Sequence, residues 1–207
     1  HAIDTMRDRL GAPAHAAQIP MGAEDKFWGV IDLVTMTAWD FKADDKGMTY
    51  PEPMDSIPEE FQAQAEELRQ ELLEAAADCD DELMEKILED QEVTIPEFKA
   101  AIRKAVIACK LNPVFVGSAY KNKGVQELLD AVVDYLPSPT DIKAIEGTNP
   151  ETGETEPRPA DPKAPFSALA FKIMTDPFVG KLTYLRCYSG TLESGSYALN
   201  ATKDKKE

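Results

Sequence analysis

Apolar residues recur with a period of about 3.6 in five stretches of the chain, which predicts five amphipathic helices. The first runs from Ile3 to Leu10 and ends at Gly11, a residue type that readily adopts the backbone conformation of a helix end. The longest begins at Pro58, with Ser56 as its expected N-cap. Its apolar positions are Phe61, Ala65, Leu68, Leu72 and Ala75.

The other three helices are predicted over Asp80–Leu88, after Thr94, and after Val125. Thr94 is followed three residues later by Glu97, which is the spacing of a capping box. The last helix is expected to stop at Pro137, because proline cannot continue a helix. Its apolar positions are Val125, Leu128, Leu129, Val132 and Leu136.

Shorter runs of β-branched and aromatic residues predict strands. In the first part of the chain these runs are 14–19, 27–41 and 114–116, and the last is expected to be covered on both faces because it is apolar throughout. A turn is predicted at Asp44–Gly47 and a proline-broken loop at Tyr50–Pro58. In the last part the strand candidates are Phe166–Ile173, Leu182–Tyr188 and Ser196–Asn200, with turns at 176–180 and 189–195.

A loop of small residues connects the run 114–116 to the last helix. Gly117, Ser118 and Ala119 carry little side-chain bulk, so a ligand is able to approach their backbone closely. In open α/β sheets, ligands bind where the carboxyl end of a strand leads into a helix. By pattern alone, however, the more ordinary interpretation is a tight connection that binds nothing.

The net charge of −16 is concentrated in one segment. Between Glu52 and Glu92 there are 16 acidic residues against Arg69 and Lys86, a balance of −14. Such a segment repels nucleic-acid phosphates and favours a basic protein partner, although a solvated helix face is the ordinary alternative. On the longest helix, five acidic side chains lie within roughly 60° of arc. They are Glu60, Glu67, Glu71, Glu74 and Asp78.

The remaining composition excludes several classes of protein. No apolar run approaches the roughly 18–20 residues that span a membrane, and no secretory signal pattern is present. The three cysteines are far apart and lack C-x-x-C spacing, which fits a reducing cytosol and argues against a disulfide frame or a zinc site. The acidic run 78–82 lacks the spacing and the glycine of a calcium-binding EF-hand, so no metal site is expected there.

The segment Val114–Pro139 closely resembles the last guanine-nucleotide motif of the elongation factor G family, the GTPases that drive ribosomal translocation. The shared motifs are Gly-Ser-Ala, then Lys-Asn-Lys-Gly-Val-Gln, then a helix that ends in Asp-Tyr-Leu-Pro-Ser-Pro. The likeness extends to 18–25, 29–34, 81–86 and 166–180, so it covers essentially the whole chain.

This resemblance implies α/β and α+β architecture: the C-terminal part of a P-loop GTPase domain with an α+β insertion, followed by the start of an all-β barrel domain. The chain is then expected to be an internal piece of a longer protein. The implied parts are 1–23, the end of the GTPase core; 24–110, an acidic insertion; 111–136, the last GTPase strand, the guanine-contacting loop and its helix; 137–164, a proline-rich linker; and 165–207, the first part of the barrel.

The resemblance also assigns roles in the loop that begins at Gly117. The Ala119 N–H is expected to donate to the guanine carbonyl, Ser118 to position the loop, and Tyr120 to line the base pocket, where many family members carry phenylalanine or leucine. Lys121 and Lys123 are either solvated lysines or contacts to the nucleotide or the ribosome.

Three motifs of the family are absent from the sequence: the phosphate loop Gly-x-x-x-x-Gly-Lys-Ser/Thr, the Asp-x-x-Gly segment and the guanine-reading Asn-Lys-x-Asp. Phosphate loops bind because backbone N–H groups and a lysine surround the phosphates while a hydroxyl holds magnesium. GTP or GDP with Mg²⁺ is therefore expected of the parent protein. The chain alone is expected neither to bind GTP tightly nor to hydrolyse it.

The partners that the resemblance implies are ribosomal, and a cytoplasmic location follows, with no membrane or DNA partner. The acidic face of the longest helix is expected to contact the ribosomal stalk protein. Ribosomal RNA is the expected partner of basic side chains in the β-domain, namely Lys172, Lys181, Arg186 and Lys203. Two alternatives remain: a stand-alone acidic α+β adaptor for a basic protein, and a paralogous ribosome-associated GTPase.

Overall fold

The computed structural model describes residues 1–41, 47–149 and 152–207, and it divides the chain into two compact units. Unit 1 is His1–Pro137 and unit 2 is Ser138–Glu207. Both are built from small sheets, and the described strands form no closed barrel. Residues 44–46 of the predicted turn lie outside the described ranges.

The described residues of unit 1 form five α-helices, as the periodicity predicts. They are α1 (Ala2–Leu10), α2 (Glu59–Ala77), α3 (Asp81–Leu88), α4 (Ile95–Ile107) and α5 (Val125–Tyr135). Gly11 ends α1 in the left-handed conformation, and the Thr94–Glu97 capping box starts α4. The N-cap prediction for α2 is wrong, because Pro58 occupies that position and Ser56 lies two residues before it.

Two sheets accompany these helices. Strands β1 (Ala14–Ala16) and β6 (Asn112–Val114) form a parallel pair. Strands β2 (Gln18–Met21), β3 (Gly29–Asp32), β4 (Thr37–Asp40) and β5 (Glu52–Pro53) form an antiparallel sheet in chain order, which we call the insertion sheet. The last of these is a short strand inside the loop predicted over 50–58.

The single strand predicted over 14–19 is instead two strands that belong to different sheets, and Ala17 marks the change. Its N–H donates to the carbonyl of Val114 at 2.9 Å, while its own carbonyl accepts from Leu33 at 3.0 Å. One residue therefore bonds to both sheets, which holds the insertion sheet directly beside the parallel pair.

The core of unit 1 lies where the helices pack on these sheets. Phe98 of α4 is fully buried, as are Ile31 and Leu33 at the end of β3 and Leu72 of α2. Arg69 of α2 extends over the Phe98 ring at 5.2 Å and donates to the carbonyls of Leu33 and Val34 at 2.6 and 2.5 Å. This arginine joins α2, α4 and the segment after β3. Its guanidinium donates to two carbonyls that lie beyond the strand and would otherwise need another hydrogen-bond donor.

Outside 150–151, the strands of unit 2 form three antiparallel hairpins: β7 (Ile145–Thr148) with β8 (Thr155–Arg158), β9 (Ser167–Asp176) with β10 (Gly180–Ser189), and β11 (Leu199–Asn200) with β12 (Lys205–Lys206). The first hairpin lies inside the segment predicted to be only a linker. The strand predicted over 196–200 is reduced to Leu199–Asn200. Asp176 shapes the predicted turn at 176–180, since its carboxylate accepts from the N–H groups of Phe178 and Val179.

Candidate functional site

The loop after β6 lies at the exit of a parallel strand, where the sequence places it. Ser118 and Lys123 form an antiparallel bridge, with Ser118 N to Lys123 O at 2.9 Å and Lys123 N to Ser118 O at 3.0 Å. Between them the chain turns tightly, and the N–H of Asn122 donates to the carbonyl of Ala119 at 3.2 Å. The result is a small, closed loop that presents residues 119–121 at its tip.

Glycine is required on both sides of this loop because two backbone segments nearly touch. A Cβ on Gly117 would lie 2.8 Å from the carbonyl oxygen of Lys123. A Cβ on Gly124 would lie 2.6 Å from the carbonyl oxygen of Val116, and Gly124 also has a φ of +77°. Side chains at these two positions would force the stems of the loop apart.

The tip of the loop is open to solvent. Gly117 and Ala119 are exposed, Ser118 is half-buried, and Tyr120 is 99% exposed. Among the hydrogen bonds of the described residues, the N–H of Ala119 donates to no acceptor. The loop therefore offers a backbone donor and an aromatic ring to a ligand, with little bulk in the way.

The strand that leads into the loop differs from the prediction. It ends at Val114 rather than Val116, and Val114, Phe115 and Val116 are each half-buried instead of covered on both faces. Phe115 stacks on Tyr135 of α5 with 6.1 Å between ring centroids. The packing of this stretch therefore comes from α5 and the insertion sheet rather than from a layer on each side.

The predicted apolar face of α5 is the exposed face. Leu128, Leu129, Val132 and Leu136 are between 43% and 60% exposed. The buried line of the helix is instead Glu127, Ala131 and Tyr135. An apolar helix face normally packs against another element. Among the described residues, no element packs over this face of α5.

Glu127 of α5 is a buried acidic residue that the sequence pattern does not reveal. It is only 7% exposed, and neither carboxylate oxygen has a hydrogen-bond partner among the described residues. Burial raises the pKa of Glu127. The backbone N–H of Glu127 itself opposes this shift, and the nearby negative charge of Asp130 adds to it, so the net pKa is raised. Asp130 in turn accepts a hydrogen bond from the Tyr50 hydroxyl at 2.7 Å, and burial together with this bond raises the pKa of Tyr50.

The acidic face of α2 has all five predicted side chains exposed. One of them, Glu71, lies 3.8 Å from the Arg7 guanidinium, so part of its charge is balanced within unit 1. The pKa of His15 is lowered, chiefly by burial and by the positive charge of Arg7, although Glu71 and Asp78 oppose the shift. The Arg7 guanidinium therefore offsets part of the negative charge near Glu71, in the middle of this acidic face.

The four basic side chains predicted to contact RNA are all exposed, but they do not share one surface. Lys172 lies opposite Tyr184 in the β9–β10 pair, and Arg186 is two residues further along β10, beyond an irregularity in the pairing between Tyr184 and Leu185. Lys181 lies three residues from Tyr184 and faces the other way. Lys203 belongs to the last hairpin and pairs with Glu207 at 3.4 Å.

Arg186 also lines a depression of about 240 Å³ within unit 2. Lys143 and Arg158 line it too, together with Cys187 and Tyr188. The Arg186 guanidinium lies 5.5 Å from the centre of the Tyr188 ring, and Arg158 pairs with Glu156 at 2.7 Å. The depression is therefore basic, although one of its cations already has an acidic partner.

The described residues contain no cluster of histidine, cysteine or acidic side chains arranged to hold a metal ion. Nor do they contain a helix with both the length and the apolar character needed to cross a membrane. Asp80, which belongs to the acidic run 78–82, caps α3 through the N–H of Leu83 and pairs with Lys104 at 3.1 Å.

No protein-family model matches the chain. Among solved structures, it is similar to the crystal structure of ttk003000868 from Thermus thermophilus, with 30% sequence identity and a TM-score of 0.70. The match covers 94% of this chain and 26% of that one. The chain thus spans about a quarter of the length of that protein and shares its fold over this part.

Proposed function

We propose that the chain is part of a translational GTPase of the elongation factor G class, and that it supplies the base-contacting loop Gly117–Tyr120. The observation that carries this proposal is the exposed, glycine-bounded loop at the exit of parallel strand β6, with the Ala119 N–H available. Guanine presents a carbonyl oxygen on its edge, which an N–H of this kind is suited to bind. The sequence motif around Ser118 supports the same assignment.

The uncovered parts of unit 1 support membership in a larger domain. Four apolar residues of α5 are exposed, and the parallel sheet has only the two strands β1 and β6 among the described residues. Parallel sheets are normally buried on both faces. We propose that the remaining strands of a GTPase domain pack here and bring the phosphate loop, the Mg²⁺ ligands and the Asn-Lys-x-Asp motif. GTP hydrolysis then belongs to the whole cytoplasmic protein and not to this chain alone.

A first test removes the Ala119 donor from the full-length protein that the source gene encodes. We expect Ala119→Pro to weaken GDP binding about 10-fold, which corresponds to about 1.4 kcal/mol for one lost hydrogen bond. Ser118 is extended in its bridge, so a following proline is tolerated. Ala119→Ser keeps the N–H and is the matched control. Calorimetric titration with GDP is the measurement.

Two results would contradict the proposal. Equal GDP affinity of Ala119→Pro and Ala119→Ser would show that the Ala119 N–H does not contact the base. Micromolar or tighter GDP binding by residues 1–207 alone would show that the other walls of the pocket are not needed. A reading frame that starts near His1, with no phosphate loop upstream, would instead favour the stand-alone acidic adaptor.

The acidic face of α2 supports a second part of the proposal, that unit 1 binds the basic surface of a protein such as the ribosomal stalk. Like charges four residues apart, such as Glu67 with Glu71 and Glu74 with Asp78, destabilise a helix, and a basic partner would offset this cost. We expect the triple change Glu67→Lys, Glu71→Lys and Glu74→Lys to weaken stalk-protein binding at least 10-fold at low salt. The loss should shrink as added salt screens the charges.

The control for this prediction carries the same charge change on α3 and its C-cap residue, as Glu82→Lys, Glu85→Lys and Glu89→Lys. These three side chains are also exposed and have a similar helical spacing. Binding is measured by surface plasmon resonance at two salt concentrations. If both triple variants lose affinity equally, net charge alone acts, and the α2 face is not the binding surface.

A further inference from the structure

The base-contacting loop is held by side chains that reach to the turn between β2 and β3. Lys123 Nζ donates to the carbonyl oxygen of Phe27 at 3.0 Å, and Lys121 Nζ lies 3.2 Å from the Asp25 carboxylate. Each of these contacts joins residues 96 positions apart in the chain. The two lysines are half-buried, so they are not simply solvated loop residues.

The stem on the other side of the loop is fixed to the same region. The N–H of Val116 donates to the side-chain oxygen of Gln18 in β2 at 3.2 Å, and Gln18 is only 3% exposed. The Val116 side chain packs against a small apolar cluster formed by Phe27, Val30 and Phe41. Both stems of the loop therefore contact Phe27, in the turn between β2 and β3, one through an apolar contact and one through the Lys123 ammonium.

The anchor at Phe27 is rigid compared with an ordinary surface ion pair. Phe27 is 8% exposed, and its ring packs on Phe41 with 5.6 Å between centroids. The acceptor is a backbone carbonyl, so it cannot swing away as a flexible carboxylate can. A hydrogen bond from a charged donor to such an acceptor is stronger than a neutral one.

We propose that Lys123 is a positioning residue for guanine binding, and that Lys121 assists it. This inference rests on the proposed function of the loop. Lys123 acts through its own backbone, because its carbonyl accepts from the N–H of Ser118 at 2.9 Å and its N–H donates back at 3.0 Å. When the Lys123 side chain is held at Phe27, the Ser118 backbone is held too, and with it the direction of the next N–H, that of Ala119.

The arrangement makes guanine affinity depend on the state of the insertion. A partner that shifts the turn between β2 and β3 changes the position of Phe27 and Asp25, and so the loop. By linkage, bound nucleotide must change the affinity for that partner by the same factor. The insertion is then a regulator of nucleotide binding as well as a docking surface.

The test uses the full-length protein and fluorescently labelled GDP. We expect Lys123→Met to increase the rate of GDP release about 10-fold and to raise the Kd by a similar factor, since methionine keeps the length of the stem but not the donor. Lys123→Arg should restore most of the affinity. Lys26→Met, an exposed lysine next to Phe27, is the matched control and should behave like the unaltered protein.

A second variant tests the same anchoring without a change at Lys123, in case substitutions there disturb folding. Asp25→Asn removes the partner of Lys121 at a fully exposed position, and we expect a two- to threefold faster GDP release. Tryptophan fluorescence from Trp28 and Trp39 reports whether unit 1 is folded, and the thermal midpoint should move little in both variants. A merely structural role for Lys123 would lower that midpoint without a selective change in the rate of GDP release.

The outcomes separate this inference from the proposed function. If the unaltered full-length protein does not bind GDP, both fail. If it binds GDP, and folded Lys123→Met releases GDP as slowly as Lys26→Met, the positioning role alone is overturned. If release is faster in Lys123→Met and Asp25→Asn and is restored in Lys123→Arg, the inference holds.

Discussion

Replacement of Phe98 by alanine should lower the free energy of unfolding of unit 1 by about 3–5 kcal/mol, the range for a fully buried phenylalanine. Phe98 has no exposed surface, and the Arg69 guanidinium carbon lies over its ring, 5.2 Å from the ring centroid. Its loss leaves a cavity and also loosens the arginine that bonds Leu33 and Val34. We therefore expect the cost to lie toward the upper end of that range.

Urea unfolding followed by tryptophan fluorescence measures this effect. Both tryptophans, Trp28 and Trp39, lie in unit 1, so the signal is independent of unit 2. Phe98→Leu is the control, since it keeps most of the buried volume and should cost roughly 1 kcal/mol. A loss below about 1 kcal/mol for Phe98→Ala would mean that α4 does not form the centre of the core.

Replacement of Glu127 by leucine should stabilise unit 1 at neutral pH by about 1–3 kcal/mol, the usual penalty for a buried polar group without a partner. The carboxylate oxygens of Glu127 lack partners among the described residues, and leucine has a similar size. Glu127→Gln is the matched control. It removes the charge but leaves a buried amide, so its gain should be smaller.

The gain should depend on pH in a defined direction. Burial raises the pKa of Glu127 in the folded state, so the contribution of this group to stability is fully present below its unfolded pKa, about 4.3. That contribution is lost as the pH rises through the raised folded-state pKa. The advantage of Glu127→Leu should therefore be largest near pH 8 and shrink toward about pH 4. An advantage that grows on acidification would show that Glu127 stays ionised.

Local signals in the sequence predict most of the helices because their ends are chemically marked. Gly11 ends α1, and Thr94 with Glu97 starts α4, since both devices act within a few residues. Ser56 fails as a cap because Pro58 takes the N-cap position itself. The loop at Gly117–Ala119 is also predictable, because close backbone approach leaves a signature of small residues in the sequence.

Features that depend on distant segments are not predictable in the same way. Periodicity identifies the apolar face of α5, but it cannot say whether that face or the one with Glu127 is covered in this chain. The change of sheet at Ala17 requires Val114 and Leu33 together, which no local pattern encodes. The same holds for Arg69 and Lys123, whose carbonyl acceptors are 35 or more residues away.

The pairing of β1 with β6 also constrains the order in which unit 1 assembles. Just after these two strands, the Val116 N–H and the Gln18 side chain meet across 98 residues of chain, and α2, α3 and α4 lie between them. Closing so long a segment costs entropy, and this cost falls greatly once the intervening helices and sheet have formed. During refolding, the loop after β6 should therefore become ordered only after those helices and the sheet have formed.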